Sequence, residues 1–448
     1  MAYESASARP ADPLERTLEQ ALEPGLFVSY AASSSFVEDL EAVAAQIATL
    51  TPGAPARAVV LYETFLAGCY AKAEEIDDSG GSLGLFVEEL FRGWIRARQA
   101  AGADPDETAA RLLAWMEDDP YGFCAHLERD ALKALDRSGR TAFERQVRVR
   151  FDAATAHAAR SPRPGGDYVR RRWAEVLRAI YLHRKNTAAY IALADETGVT
   201  PEDCLALSGL LLARRKPEEA LAWVDRGLAL AGETPHGSMA SHDLARRQRE
   251  VLTKLGRGDE ALEAAWAEYR KAPHPYAYAD LMKQVPESER AAWHERAMDA
   301  ALTADLSSAM ELFLETRELT RLAERLRQAG DEALEAVSHY VAEPATKKLE
   351  RPHPELAARL WRAQGMRILR AKKSRYYDAA LRNFAAARRC YERAGQAGEW
   401  QRLVDQVRAE HRRKTGFVAD FEALVAGAGP DNRPSFLERA KARWGRRT

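Results

Sequence analysis

Signatures of metal, redox and phosphate chemistry are missing from this 448-residue sequence. Its four cysteines (Cys69, Cys124, Cys204, Cys390) lie far apart and form no CxxC pair, which excludes zinc ribbons and thioredoxin-like redox motifs. Each sits in an apolar helical context and reads as a buried, reduced thiol. Ten histidines form no HExxH and no closely spaced ligand pair. There is no GxGxxG and no GxxxxGK followed by Ser or Thr, so dinucleotide and nucleoside-triphosphate chemistry find no support. No catalytic residue, metal ligand or cofactor is assigned. No apolar run approaches the roughly 20 residues that cross a bilayer. The first fifteen residues, MAYESASARPADPLE, have neither the basic nor the apolar part of a secretory leader, and the expectation is a cytoplasmic protein.

Strand signals are scarce as well: alternating Val/Ile/Thr runs are few, whereas Ala, Leu, Glu and Arg dominate a chain that is 46% apolar. That composition favours helix nearly everywhere. The clearest unit is Pro201 to Ala231, PEDCLALSGLLLARRKPEEALAWVDRGLALA. Leu205, Leu207, Leu210, Leu211 and Leu212 crowd one helix, and Leu221, Val224 and Leu228 lie along one side of a second. Between them, Arg214 to Pro217 forms the turn, with proline at the first helical position, where its missing N–H costs nothing. Two glutamates then suit the positive end of the helix dipole. Ala220 and Gly227 supply small surfaces where the helices approach, the logic of a tetratricopeptide-like hairpin. Echoes follow around Ala261, Ala333 and Ala380, at spacings of 41, 72 and 47 residues. The repeats are therefore degenerate, with an unmarked unit at about 287–329. The fold class expected is all-α: an irregular α-solenoid of tetratricopeptide-like hairpins with a helical N-terminal region.

Residues 1–13 read as a tail, 14–160 as an N-terminal helical domain, 161–167 (SPRPGG included) as a linker, 168–342 as repeats and 343–448 as basic helical repeats. Within the first domain, Ser34 or Ser35 is expected to cap a helix carrying Phe36, Leu40, Val43, Ile47 and Leu50. The stretch Asp77 to Gly84 has the acidic and glycine content of a calcium loop, with Glu88 at the twelfth position. Gly81 and Ser82 break that pattern at positions five and six, so the alternative is a helix stop, a polar turn and a serine cap. Asp118 and Asp119 precede Pro120 and read as a turn before they read as an acid–base pair. Arg170, Arg171, Arg172, Arg178 and Arg184 lie among Trp173, Tyr181 and His183, a mixture that suits stacking on bases or an amphipathic helix with solvated arginines.

The formal charge of −1 conceals an asymmetry. From Glu343 onward there are 25 Lys and Arg against 12 Asp and Glu, a net +13, so residues 1–342 carry −14. Such a distribution points to a polyanionic partner, to attraction between the parts, or to no more than solvated helix faces. Candidate nucleic-acid contacts are Arg370, Lys372, Lys373, Arg375, Tyr376, Tyr377, Arg388, Arg389, Arg412, Arg413 and Lys414, with Tyr391 and Trp444 as further stacking surfaces and Arg443 to Arg447 as further charge.

The ordered set FVSYAASSSFVEDLEAV, EEIDDSGGSLGLFVEELF, ARLLAWMEDDPYGF, LLLARRKPEEALAWVDRGLAL and LTKLGRGDEALEAAWAEYRKAP resembles an uncharacterised bacterial helical-repeat family related to the region that follows the SWIM zinc finger in larger proteins. The resemblance covers most of the chain and implies a tetratricopeptide-like scaffold with no established activity. The zinc finger itself, a CxC with a later CxH, is absent. The function expected is a non-enzymatic scaffold that binds a protein partner in its concave groove. The alternative is nucleic-acid binding through the basic C-terminal region, with DNA-directed activity such as that of helical-repeat glycosylases as its extension by fold analogy.

Overall fold

A computed structural model describes residues 13–22, 27–160, 168–232, 239–371 and 374–427. The chain divides into two compact units, Met1–Leu244 and Ala245–Thr448. The residues read as a linker (161–167), those of the N-terminal tail up to 12, and 428–448 lie outside the described set.

The described residues of the first unit form α1 (Pro13–Ala21), α2 (Tyr30–Leu50), α3 (Pro55–Lys72), α4 (Ser82–Ala100), α5 (Pro105–Glu117), α6 (Leu127–Ala134), α7 (Arg137–Arg160), α8 (Tyr168–His183), α9 (Thr187–Thr197), α10 (Pro201–Ala213) and α11 (Pro217–Gly232), followed by the start of α12 (Ser241–Lys254). The second unit continues with α13 (Gly258–Lys271), α14 (Pro275–Gln284), α15 (Arg290–Ala301), α16 (Leu306–Glu315), α17 (Leu319–Gln328), α18 (Asp331–Ala336), α19 (His339–Leu349), α20 (Pro354–Arg370), α21 (Tyr377–Arg393), α22 (Ala397–His411) and α23 (Thr415–Val425). The only extended pairing among the described residues is one parallel bridge, Val28 with Ile76. The fold is all-α, built of helical hairpins.

Proline explains many of the starts. Pro55, Pro105, Pro201, Pro275 and Pro354 each stand in the first turn, where no N–H is needed and φ is already helical. A recurrent turn explains many of the stops. Gly102, Lys185, Arg215, Gly256, Arg317 and Gly395 all adopt positive φ, between 53° and 73°. In each case the next residue's N–H donates back to a carbonyl five positions earlier: Ala103 to Arg98, Asn186 to Tyr181, Lys216 to Leu211, Arg257 to Leu252, Glu318 to Phe313 and Gln396 to Tyr391, at 2.8–3.0 Å. This is the Schellman closure, which satisfies the orphan carbonyls and sends the chain into the next helix. It unites hairpins whose sequences share little.

Three of those six positions carry side chains that pay for the left-handed conformation. Arg317 is exposed, so Arg317→Gly relieves about 1–2 kcal/mol of strain and returns about 0.5–1 kcal/mol of it through the freer unfolded chain. A net gain of about 0.5–1 kcal/mol is expected, read as a higher urea midpoint.

The Ala220 and Gly227 packing stands as expected. Ala220 is fully buried, and a Cβ on Gly227 would lie 2.7 Å from the Cys204 Cβ and 2.9 Å from a Leu244 methyl. Ala261 and Ala380 are buried likewise. Ala333 is not: it is exposed on α18, a helix of only six residues, so that echo is a correction to the repeat count. The unmarked stretch at 287–329 holds α15, α16 and α17.

The N-terminal cap also differs from expectation. The Val28 N–H donates to Glu75 O at 2.8 Å and the Asp77 N–H to Val28 O at 2.9 Å, and the chain passes from that bridge directly into α2 at Tyr30. Ser34 and Ser35 therefore sit inside the helix, while Val37, Leu40, Val43 and Ile47 are buried as its spacing demands. The first unit's core gathers Phe65, Phe91, Trp94, Phe143 and Phe151; that of the second gathers Tyr269, Phe313, Phe384, Phe417 and Phe421. All four cysteines are buried and unpaired, and burial pushes the Cys204 thiol up to about 11.

Candidate functional site

The acidic stretch at 77–84 resolves into a helix cap. Asp78 accepts from the Leu83 N–H at 2.9 Å and the Gly84 N–H at 3.1 Å, and Asp77 accepts from Ser79. The cap on α4 is thus Asp78, and Ser82 itself donates to it at 3.3 Å. An aspartate five residues upstream can reach because Gly81, at φ 74°, folds the turn back. Asp119 does similar work before α6: it accepts from the Phe123 and Cys124 N–H groups at 3.0 and 2.7 Å and from Tyr70 Oη at 3.1 Å. Among the described residues no group of three or more His, Cys, Asp or Glu could hold a metal ion, and no helix is long and apolar enough to cross a membrane.

The arginines of α8 are neither solvated in a row nor free for bases. Arg170 donates to Glu196 O (3.0 Å) and Thr155 (3.2 Å), Arg172 to Met116 O, and Arg184 pairs with Glu144. Arg178 chelates Asp203, with Nε at 2.6 Å and Nη2 at 3.1 Å, and reaches Thr197 at 2.7 Å. Arg171 and Arg184, the latter just beyond the end of α8, are exposed.

The basic set of the second unit divides in the same way. Lys372 and Lys373 lie outside the described residues. Arg370 bridges Glu335 (2.5 Å) and Glu410 (3.5 Å). Arg388 pairs with Glu392 at 2.8 Å and closes the end of α23 by donating to Leu424 O and Val425 O. Lys414 donates to Leu369 O. Tyr377 is buried edge-on against Phe417 and Tyr391 is buried too. What stays outward is Arg375 over the half-exposed Tyr376 ring (4.7 Å), together with Arg389, Arg412 and Arg413.

A different surface emerges on α13, α14 and α15. Trp266 and Trp293 are half-buried with centroids 5.5 Å apart at 75°, and the exposed Arg296 guanidinium lies over both, 4.4 and 4.6 Å from their centroids. Trp266 also stacks on the buried Tyr269. Beside them, Tyr278 Oη meets His294 Nδ1 at 2.8 Å and His294 Nε2 meets Glu318 at 3.1 Å. Burial, then Glu318, pushes the Tyr278 phenol up, against the nearby Arg290, so this Glu–His–Tyr chain orients the ring and does not generate a phenolate nucleophile. Tyr276, 79% exposed, stacks on His274. Sequence reasoning missed this group. Its only signal was the tryptophan in the second echo, and Trp293 and His294 fall in the stretch without a repeat signature.

Comparison with known proteins adds family but no activity. No curated protein matches the chain. Among solved structures, one described as "Structure of Naa15/Naa10 bound to HypK-THB" is 12% identical, with 95% of this chain and 69% of that chain covered at a TM-score of 0.29. Another, a circular tandem repeat protein with novel repeat topology, is 13% identical over 92% of this chain and 95% of that chain, at 0.18. A family model matches residues 1–420, nearly the whole chain, and the protein belongs to that family, described as a family of unknown function (DUF6880).

Proposed function

We propose that the protein is a non-enzymatic helical-repeat scaffold that holds a protein segment in the concave groove of its hairpins, with the Trp266–Trp293–Arg296 surface as the anchor. The observation that carries this reading is the combination of two half-buried indoles and a stacked, exposed guanidinium on successive hairpins. Trp, Tyr and Arg dominate binding hot spots because they bring large rigid area and adaptable donors together. The scaffold acts in the cytoplasm, and its relationship to regions that follow SWIM zinc fingers is one of helical framework, without the zinc ligands. We also propose the division into an N-terminal region at 14–160, repeats at 168–342 and a basic region at 343–448 as functional segments.

Purification from the native host, with and without Trp266→Ala and Trp293→Ala together, tests this. A reproducible protein partner is expected, with affinity lowered about 30-fold or more in the double variant, the loss of about 2 kcal/mol that marks a hot spot. Capture that is indifferent to both tryptophans sinks the proposal. A second reading, nucleic-acid engagement, is favoured by the outward Arg375, Arg389, Arg412 and Arg413. Its mark is binding that weakens steeply as salt rises and fails when Arg389, Arg412 and Arg413 become alanine.

A further inference from the structure

In the first unit a cavity of about 560 Å³ lies among the end of α5, the segment leading into α6, α6 itself and α8. That volume suits a small organic molecule. Leu132, Val176 and Leu182 supply apolar wall, and Glu128 and Glu175 supply carboxylates. We propose that this cavity binds a small organic cation, a primary alkylammonium or guanidinium, whose charge is met by Glu128 and Glu175 and whose apolar body lies on Leu132, Val176 and Leu182.

The charge argument rests on which groups around the cavity are already engaged. Arg178 is committed to Asp203 and Lys133 to Asp130, at 3.1 Å. Arg172 donates to Met116 O and lies over Trp173. Arg129 is 68% exposed and stands 3.9 Å from Glu128, too far for a hydrogen bond. His183 has its pKa lowered by burial and then by Arg140 and Arg184, so at neutral pH it adds no positive charge. Glu128 is only 8% exposed. Burial first, and Glu175 in addition, push its carboxyl above the usual range, although its own backbone N–H, His126 and Arg129 oppose the shift. A buried carboxylate whose nearest cation, Arg129, stands too far off to hydrogen-bond is poorly compensated, and a ligand ammonium supplies a charge-assisted hydrogen bond.

Calorimetric titration of the full chain with hexylammonium, 1-hexanol and hexanoate tests the proposal. Saturable one-site binding of hexylammonium is expected, at least about tenfold tighter than either hexanol or hexanoate. Glu128→Gln and Glu175→Gln should each weaken hexylammonium about tenfold, the loss of one charged hydrogen bond, and leave hexanol unchanged. Because burial disfavours the Glu128 charge, Glu128→Gln is expected to keep its melting temperature. Glu175, exposed on α8, provides a second variant that does not touch the core. Hexanoate or hexanol binding as tightly as hexylammonium would overturn the proposal. So would hexylammonium binding that ignores both glutamine variants, or no saturation by the cation at all.

Discussion

Asp203→Ala is expected to destabilise the protein by about 3–5 kcal/mol, the cost of removing one member of a buried ion pair. Asp203 is 1% exposed, and its two oxygens accept from Arg178, from Tyr190 Oη at 2.9 Å and from the Thr200 N–H at 3.1 Å. Thr200 answers by accepting from the Asp203 N–H, completing a capping box on α10. One carboxylate thus ties α8, α9 and α10 together. Alanine leaves a guanidinium, a phenol and a backbone N–H without their acceptor, and each loss adds to the missing cap. Arg178→Met combined with Asp203→Asn should recover part of the loss, because the stranded charge is gone and the asparagine still caps; a double variant no better than Asp203→Ala would show that neither the cap nor the stranded guanidinium carried the effect.

The same residue sets a pH dependence. Burial works against its charge, but Arg178, the Thr200 N–H and Tyr190 outweigh it and hold the carboxyl below its ordinary 3.8. A carboxylate with a lowered native pKa contributes stability that is fully present above the unfolded value and lost as pH falls through the native one. Wild-type stability should therefore fall below about pH 4, and the slope should flatten in Asp203→Asn when urea midpoints are compared from pH 5 to 2.5.

Local signals made the hairpins legible before any coordinate: Pro201 and Pro217 at helix starts, Ala220 and Gly227 at a close crossing, Gly256 in a turn. Each acts through its own backbone or its missing side chain, so the residue type reports the conformation. The turns at Lys185, Arg215 and Arg317 use the same left-handed geometry with side chains that prefer to avoid it, held by the backbone bonds that close each hairpin, so residue type does not report the conformation there. Function-bearing geometry was less legible still. The arginines from Arg170 to Arg184 look like a base-stacking row because sequence shows their charge and hides their partners, Glu144, Glu196, Met116 and Asp203, up to 56 residues away. Trp266 and Trp293 become a surface only when α13 and α15 meet. The Glu318–His294–Tyr278 chain likewise joins α14, α15 and the turn before α17.

Gly365→Val tests the crossing of α20 and α21, and an expected loss of about 3 kcal/mol or more places it among the severe overpacking changes. A Cβ at Gly365 on α20 would stand 2.5 Å from the Phe384 ring on α21. That ring cannot swing aside: Phe384 is fully buried and lies against Phe421 at 5.5 Å and Phe417 at 6.3 Å. Ala363, Ala380 and Ala387 around it are fully buried as well, so a valine forces the two backbones apart and opens voids along the rest of the crossing. Arg370 at the end of α20 and Arg388 and Arg389 on α21 move with those backbones, so the same change should weaken any binding that depends on the basic region. The diagnostic is non-additivity. Phe384→Leu alone should cost stability by leaving a cavity, but in the Gly365→Val background it makes room for the new side chain, and the double variant should be more stable than the sum of the two losses allows by roughly 1–3 kcal/mol. Strict additivity in urea unfolding would mean that residue 365 and the ring do not meet.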